Sequence, residues 1–476
     1  MNYREMKQIS DILTLEDLIF HNNQNPAHTA IESPGYLPLT YHDLRLQIIN
    51  VIKTLHAMGF HRNDRIAIMV PDGPEMAVAI LSVVAGFTFI PLNPQYKEPE
   101  FERYFSNLGI QAVIVQKDYK TAATAVAARR TIPIIELIPV TGHAGKFELS
   151  PATIQNAEEP EFAGPSDIAI IFQTSGTTTC PKIVPISQKQ FCLRAQVIYT
   201  LYKFTDTVRF LHIVPYYHVI GIFGSLLDPL LAGGTVICIK DFIAADFIYL
   251  LKTCRPTCYV AVPAIHQAIL HEMKKVSTDE LKNHTLSGIR SGSASLPEHV
   301  WNELETILGI PVIEVYGMTE AAFISINFPH KRNSAGIPVI GSLAILDDDG
   351  NMLPPHEKGE IIVKGERVFN GYENAPEENK IAFINGWYKI GDIGYMDHDG
   401  YLFLTGRKKE LINKGGRKIS PTEIDAVLES HQGVKEAMSF QIKDCDLGED
   451  IAAMVVPADP RITEKDLRSY LIDRLV

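Results

Sequence analysis

The chain has 476 residues, more than one small core organises, so two or more subdomains are expected. Apolar residues make up 46% and charged residues 21%, the balance of an ordinary globular protein. A net charge of −12 excludes a general nucleic-acid binder, which needs a basic face for the phosphate backbone.

The N-terminus, MNYREMKQISDILTLEDL, mixes charges without an apolar run and does not read as a signal peptide. Tyr41–Met58 carries Leu44, Ile48, Val51, Ile52 and Leu55 at helical spacing. Arg65–Val70, Thr88–Leu92, Ala112–Val115, Asp167–Phe172, Phe210–Val214, Thr235–Ile239 and Cys258–Val262 read as buried strands. The longest apolar stretch, Met76 to Leu92, is broken by Ser82, Gly86 and Thr88 and is shorter than the ~20 residues of a membrane span. It reads as a core helix running into a core strand, and no membrane partner is expected. Alternating strands and helices predict α/β layers with largely parallel sheets. Cys180, Cys192, Cys238, Cys254, Cys258 and Cys445 are scattered, which fits reduced thiols in a cytoplasmic protein. Cys254 and Cys258 lack a second pair at zinc-ligand spacing.

After about Ala335 short strands follow one another at Gly359–Val363, Gly371–Tyr372 and Gly400–Leu404, a smaller β-rich subdomain. Gly406–Glu410 reads as a charged linker. Ser420-Pro421-Thr422-Glu423 is a capping box with proline at the first helical position. Glu464–Val476 reads as an amphipathic helix that stops without a cap, as in a fragment of a longer protein. The expected division is an N-terminal core over 1–405 (two α/β subdomains and the small β-rich one), a hinge at 406–409, and an incomplete α+β domain over 410–476.

Three segments carry chemistry. Thr174-Ser175-Gly176-Thr177-Thr178-Thr179-Cys180-Pro181-Lys182 follows a buried strand, and hydroxyls, backbone N–H groups and a lysine suit a polyphosphate. It is not a Walker A loop, because no second glycine precedes the lysine. Tyr316-Gly317-Met318-Thr319-Glu320 follows the apolar strand Pro311–Val315, where α/β folds bind ligands. Thr319 suits a phosphate, and Glu320 suits Mg²⁺, a hard cation that prefers oxygen. Gly386–Asp392 places a carboxylate fifteen residues before Gly406-Arg407, where it suits a ribose diol or simply solvent.

In this order the three blocks resemble the adenylate-forming superfamily: acyl- and aryl-CoA synthetases, firefly luciferase and nonribosomal peptide synthetase adenylation domains. The resemblance runs from about Leu15 to the C-terminus. It implies that Thr174–Lys182 is the phosphate loop, that Thr319 and Glu320 are the γ-phosphate contact and Mg²⁺ ligand, and that Tyr316, with Gly317 and Met318, lies at the adenine. It implies that Asp392 holds both ribose hydroxyls, that Arg407 assists it, and that Lys409 is the hinge about which the last domain rotates between half-reactions. Gly292–Ser295, with Ser293 and Ala294, and Val315 match pocket-lining segments, and Ala321 is assigned to the same substrate pocket. The family has glycine where Thr179 and Ile183 stand, and often histidine where Gln188 stands. Its catalytic lysine lies in a segment beyond the point where this sequence ends, which implies slow adenylation by the chain as given.

The implied reaction joins a small-molecule carboxylic acid to AMP from ATP, with Mg²⁺, and passes the acyl group to the thiol of CoA or of a phosphopantetheine arm. Amino-acid-activating relatives carry an aspartate early in the segment that here reads Val214–Gly221; no acid follows here until Asp228. An α-amine would lack a counter-ion, so an acid without one is expected. His218 resembles the histidine of acyl- and aryl-CoA synthetases at this place, although a satisfied core histidine fits equally. Phe223 is assigned to the same pocket, and Gly221 and Gly224 are expected to leave room for a bulky or aromatic group. Regions around Ala261–Gln267 and Thr405–Pro421 resemble oxalyl-CoA synthetases. The abrupt end favours the loading adenylation domain of a larger synthase, with a carrier domain downstream; the chain resembles such domains of the microcystin synthetase type, which implies a phenylpropanoid-type acid. The absence of lysine or arginine between Val214 and Lys240 favours the aryl acid, and a non-catalytic nucleotide-binding relative is the remaining alternative.

Overall fold

The computed structural model describes residues 11–21, 25–150, 159–174, 181–414, 417–444, 448–472 and 474. The chain divides into two compact units, one of Met1–Ile326 with Gly365–Asn379, the other of Asn327–Lys364 with Lys380–Val476.

The strands down to the unit boundary are β1 (Thr29–Glu32), β2 (Leu39–Thr40), β3 (Arg65–Met69), β4 (Thr88–Ile90), β5 (Ala112–Gln116), β6 (Ile134–Pro139), β7 (Phe147–Ser150), β8 (Ile168–Thr174), β9 (Lys182–Ser187), β10 (Arg209–His212), β11 (Thr235–Cys238), β12 (Cys258–Ala261), β13 (Gly288–Gly292), β14 (Val312–Met318) and β15 (Ala322–Asn327). One sheet runs β7-β6-β5-β3-β4-β8-β9, the other β15-β14-β13-β12-β10-β11-β1-β2. The inner pairings are parallel, as in β3/β5 and β12/β13, and antiparallel pairs sit at the edges, as in β8/β9 and β6/β7. A parallel strand is covered on both faces, so it reads as a continuous apolar run. That is why RIAIMV and DIAIIF were legible as strands, and Ile66–Met69 and Ala169–Phe172 are indeed buried.

The helix Tyr41–Ala57 starts where Thr40 accepts from the Asp43 N–H, and it buries the predicted stripe from Leu44 to Leu55. The apolar stretch resolves into the helix Pro74–Gly86, buried at every residue but Glu75, and the strand β4, as expected. Among the described residues no helix is long and apolar enough to cross a membrane.

The second unit holds β16 (Ile337–Pro338), β17 (Ser342–Leu346), β18 (Gly359–Lys364), β19 (Phe383–Ile384), β20 (Trp387–Met396), β21 (Leu402–Arg407), β22 (Ile412–Lys414), β23 (Arg417–Ile419), β24 (Val434–Asp444) and β25 (Gly448–Pro457). One sheet is β17-β18-β20-β19 with β21 on β20; the other is β23-β22-β25-β24, accompanied by the helices Pro421–Glu429 and Glu464–Ile472.

Three local expectations fail for physical reasons. Gly371–Tyr372 is not a strand: it belongs to the first unit, and Asn379 Oδ1 accepts the Tyr372 N–H at 2.7 Å in place of a ladder partner. Gly406 and Arg407 are not linker but close β21, opposite Ile393 and Asp392. Ser420 precedes its helix without capping it: its side chain accepts no N–H of the first turn and is turned instead toward the Thr405 carbonyl, to which its hydroxyl donates at 2.5 Å.

Candidate active site

β8 and β9 form a hairpin in which Thr174 faces Lys182. The predicted phosphate-loop residues Ser175, Gly176, Thr177, Thr178 and Thr179 lie outside the described residues. Lys182, at the start of β9, places its ammonium 4.2 Å from the centre of the Tyr372 ring. The segment carrying Tyr372 is tied to the same hairpin, since Glu373 N–H donates to the Ile183 carbonyl at 3.0 Å.

Tyr372 also donates its hydroxyl to Glu320 Oε1 at 2.9 Å. Glu320 and Thr319 sit in the tight turn between β14 and β15. That turn forces Gly317: a Cβ there would lie 1.8 Å from the Ala322 carbonyl oxygen. Glu320 is buried, and burial raises its pKa, opposed by the Tyr372 hydrogen bond and by the charges of Lys182 and Arg194. Tyr316, Met318, Thr319 and Val315 are half-buried beside it, and Ala321 is fully buried.

Arg194 is a residue that the sequence reading passed over. It lies on the helix Gln188–Tyr202 with no exposed surface, and its fork donates to the carbonyls of Thr319 (3.0 Å), Glu320 (3.1 Å) and Arg367 (2.9 Å). Burial pulls its pKa down to about 9, so it remains charged at neutral pH. Phe191, Arg194, Ala195 and Ile198 are all buried at helical spacing, so the available signal was an arginine inside an apolar stripe. Tyr372 gave no such signal.

His218 precedes a continuous helical run: Val219–Ile222, a π turn at Phe223–Leu227, then Asp228–Leu231. Its ring is exposed and stands 4.4 Å from Tyr217, and partial desolvation lowers its pKa, so it is neutral at pH 7. Gly221 and Gly224 do not leave open space. A Cβ at Gly221 would lie 2.4 Å from the Pro215 carbonyl oxygen, and one at Gly224 would press on Val260 and Ile220 at 3.3 and 3.4 Å. Phe223 is a core side chain, edge-on to Phe191 at 5.1 Å with the Arg194 guanidinium over its ring. Ser293 and Ala294 are exposed just after β13, and Ser293 adopts a φ of 71°.

Below this run His212 Nδ1 donates to Ser225 Oγ at 2.6 Å, because the Ser225 hydroxyl is already given to the Gly221 carbonyl at 2.8 Å. Burial pushes the His212 pKa down to about 3, against about 6.5 in an unfolded chain. The unfolded state therefore binds the proton first as pH falls, so this group's stabilisation is full above about 6.5 and is lost toward 3. In urea denaturation at pH 7 and 5, the native chain should lose about 2 kcal/mol more than a His212→Asn variant.

His212 also lines a cavity of about 700 Å³ at the carboxyl ends of β5, β10 and β11, with Asp72, Gln95, Lys117, Tyr119, Tyr217 and Lys240. Burial raises the Asp72 carboxyl to about 6.

In the second unit, Asp392 and Arg407 face each other across β20 and β21, with Arg407 Nε 2.9 Å from Asp392 Oδ1. The Asp392 carboxylate is buried and the Arg407 side chain is exposed. Lys409 is exposed in the turn that follows.

A family model described as AMP-binding enzyme matches residues 20–373. A probable CoA ligase of Humulus lupulus is 37% identical over 450 residues, covering 92% of this chain and 85% of the relative. An oxalate–CoA ligase of Arabidopsis thaliana is 36% identical over 463 residues, covering 94% and 89%. ATP-bound MatB from Rhodopseudomonas palustris superposes with a TM-score of 0.85 at 27% identity, covering 98% and 92%. With the family model matched over most of its length and relatives of this class along nearly all of it, the chain belongs to the AMP-binding enzyme family and is an adenylate-forming acid–thiol ligase.

Proposed function

We propose that the chain activates a small carboxylic acid without an α-amine as its acyl-adenylate and passes the acyl group to the thiol of CoA. The observation that carries the amine-free part is the state of Asp228. It is fully buried and its Oδ2 accepts from Arg290 Nη1 at 2.7 Å, so its charge is not offered to a substrate ammonium. Asp228 therefore cannot serve as the counter-charge that a substrate ammonium would need on losing its hydration.

The acid's oxygen attacks the α-phosphorus of ATP as the α–β bridging bond breaks and pyrophosphate leaves. The thiol then attacks the acyl carbon and AMP leaves. Catalysis of this kind rests on positioning and charge stabilisation. In this reading Lys182, Thr174 and Thr319 receive the phosphates, and Tyr316 takes the adenine. Asp392, with Arg407, receives the ribose diol, and the turn at Lys409 is the hinge between half-reactions of a core and a smaller C-terminal domain. Mg²⁺ would neutralise phosphate charge, and Glu320 is the residue to hold it: a single carboxylate plus substrate phosphates is the usual magnesium environment. His218 and Ser293 offer the acid side a neutral ring and a hydroxyl.

The small-acid choice rests on the oxalate–CoA ligase relative and on Gly221 and Gly224, whose space is filled by Pro215, Ile220 and Val260. The 700 Å³ cavity is of a size to take an organic ligand such as the thiol arm. A second reading, an aryl or phenylpropanoid acid handed to a phosphopantetheine arm on a carrier domain, is favoured by the absence of lysine and arginine between Val214 and Lys240. ATP-dependent thioester formation with oxalate, cinnamate and phenylalanine, each offered CoA or a phosphopantetheinylated carrier, separates them. Oxalyl-CoA is the expected product. Cinnamoyl transfer to the carrier alone would establish the second reading, and turnover of phenylalanine would sink the counter-ion argument.

A further inference from the structure

The buried pair Asp228–Arg290 does more than close a charge. Arg290 stands in β13, three residues before Ser293, with 4% of its side chain exposed, and Asp228 with none. Its Nη1 donates to Asp228 Oδ2 at 2.7 Å and its Nη2 to the Gly224 carbonyl at 2.5 Å. Both acceptors lie on the helical run that begins after His218. Gly224 is inside the π turn, where the normal ladder of carbonyl partners is disturbed. The guanidinium also lies 4.9 Å from the centre of the Phe210 ring, and the Arg290 carbonyl is 3.1 Å from His266 Nε2. The fork therefore joins two elements that end in different parts of the acid side, one at His218 and one at Ser293.

Stability alone does not account for the pair. Desolvating two charges commonly offsets their attraction, and well-packed apolar residues of similar size are often as stable or more so. Here the cost is larger still, since Asp228 Oδ1 and Arg290 Nε are buried without a hydrogen-bond partner. What an apolar pair lacks is a directional lock between a π turn and a strand.

We propose that Arg290 is a positioning residue of the acid site, fixing the His218 helical run against the Ser293 end of β13 through Gly224 and Asp228. This rests on the reading of His218 and Ser293 as acid-side residues.

The test measures acid-dependent exchange of labelled pyrophosphate into ATP, with KM for acid and for ATP determined separately, together with the thermal midpoint. Arg290→Lys keeps the charge, but one ammonium does not reproduce a fork that spans two fixed acceptors. The double variant Arg290→Met/Asp228→Leu removes the lock while keeping apolar volume. In both, KM for the acid should rise about tenfold while KM for ATP stays within about twofold, and the double variant should fold with a lower thermal midpoint, since the Gly224 carbonyl loses its donor. An unchanged acid KM, or acid and ATP KM rising together, would overturn the proposal. If Arg290→Lys does not fold, the double variant decides; a double variant that also fails to fold makes the pair structural and overturns it too. Absence of exchange in the unmodified chain with every acid would instead count against the proposed function.

Discussion

Replacing Arg194 with methionine should destabilise the chain by about 3–5 kcal/mol and lower acid-dependent pyrophosphate exchange by at least about 100-fold. The side chain is fully buried and its fork is the partner of three backbone carbonyls, two of them in the turn that presents Thr319 and Glu320. Methionine fills much of the volume but leaves those carbonyls buried without donors, and it removes a positive charge close to the Glu320 carboxylate. Arg194→Lys separates the two effects. It restores charge but not the planar fork, so most of the stability should return and the exchange rate much less. Urea denaturation and exchange on the same preparations check this, and equal recovery of both quantities would reduce Arg194 to a packing role.

Glu320→Gln should cut kcat by about 10²–10³-fold with little loss of stability. The amide oxygen can still accept from Tyr372, and a neutral group at this buried place removes a desolvation burden that now raises the carboxyl pKa. What goes is the negative charge proposed to hold Mg²⁺. Protonation of Glu320 would mimic the amide, and Mg²⁺ at the carboxylate would oppose the rise that burial causes, so in the native chain the Mg²⁺ needed for half-maximal activity should increase as pH falls. The variant should lack that pH dependence. A kcat within about threefold of the native value at pH 7 would remove Glu320 from the reaction.

The strand–helix alternation was legible because parallel strands buried on both faces are written as uninterrupted apolar runs, and Arg65–Met69, Ala112–Gln116 and Cys258–Ala261 match that reading closely. Thr319 and Glu320 stand out because they are consecutive, whereas Asp392 and Arg407, fifteen residues apart in sequence, are brought opposite each other by the pairing of β20 and β21. Contacts between distant segments were not. Nothing local announces that Tyr372 meets both Lys182 and Glu320, or that Arg194 donates to the turn some 125 residues away. The glycines at 221 and 224 misled for a related reason. A missing side chain looks like empty space in a sequence, whereas here a backbone carbonyl and neighbouring aliphatic groups occupy that space. Ser420 likewise had the right spacing for a cap, but its side chain is turned toward the Thr405 carbonyl, fifteen residues upstream.

The most direct measurement of the central claim is exchange of labelled pyrophosphate into ATP by the chain, with and without acid, at saturating Mg²⁺. Exchange that requires an amine-free acid and is absent with phenylalanine is the result expected of reversible acyl-adenylate formation. ATP binding with no acid-dependent exchange across oxalate, cinnamate and fatty acids would contradict it and leave a protein that holds the nucleotide without activating an acid.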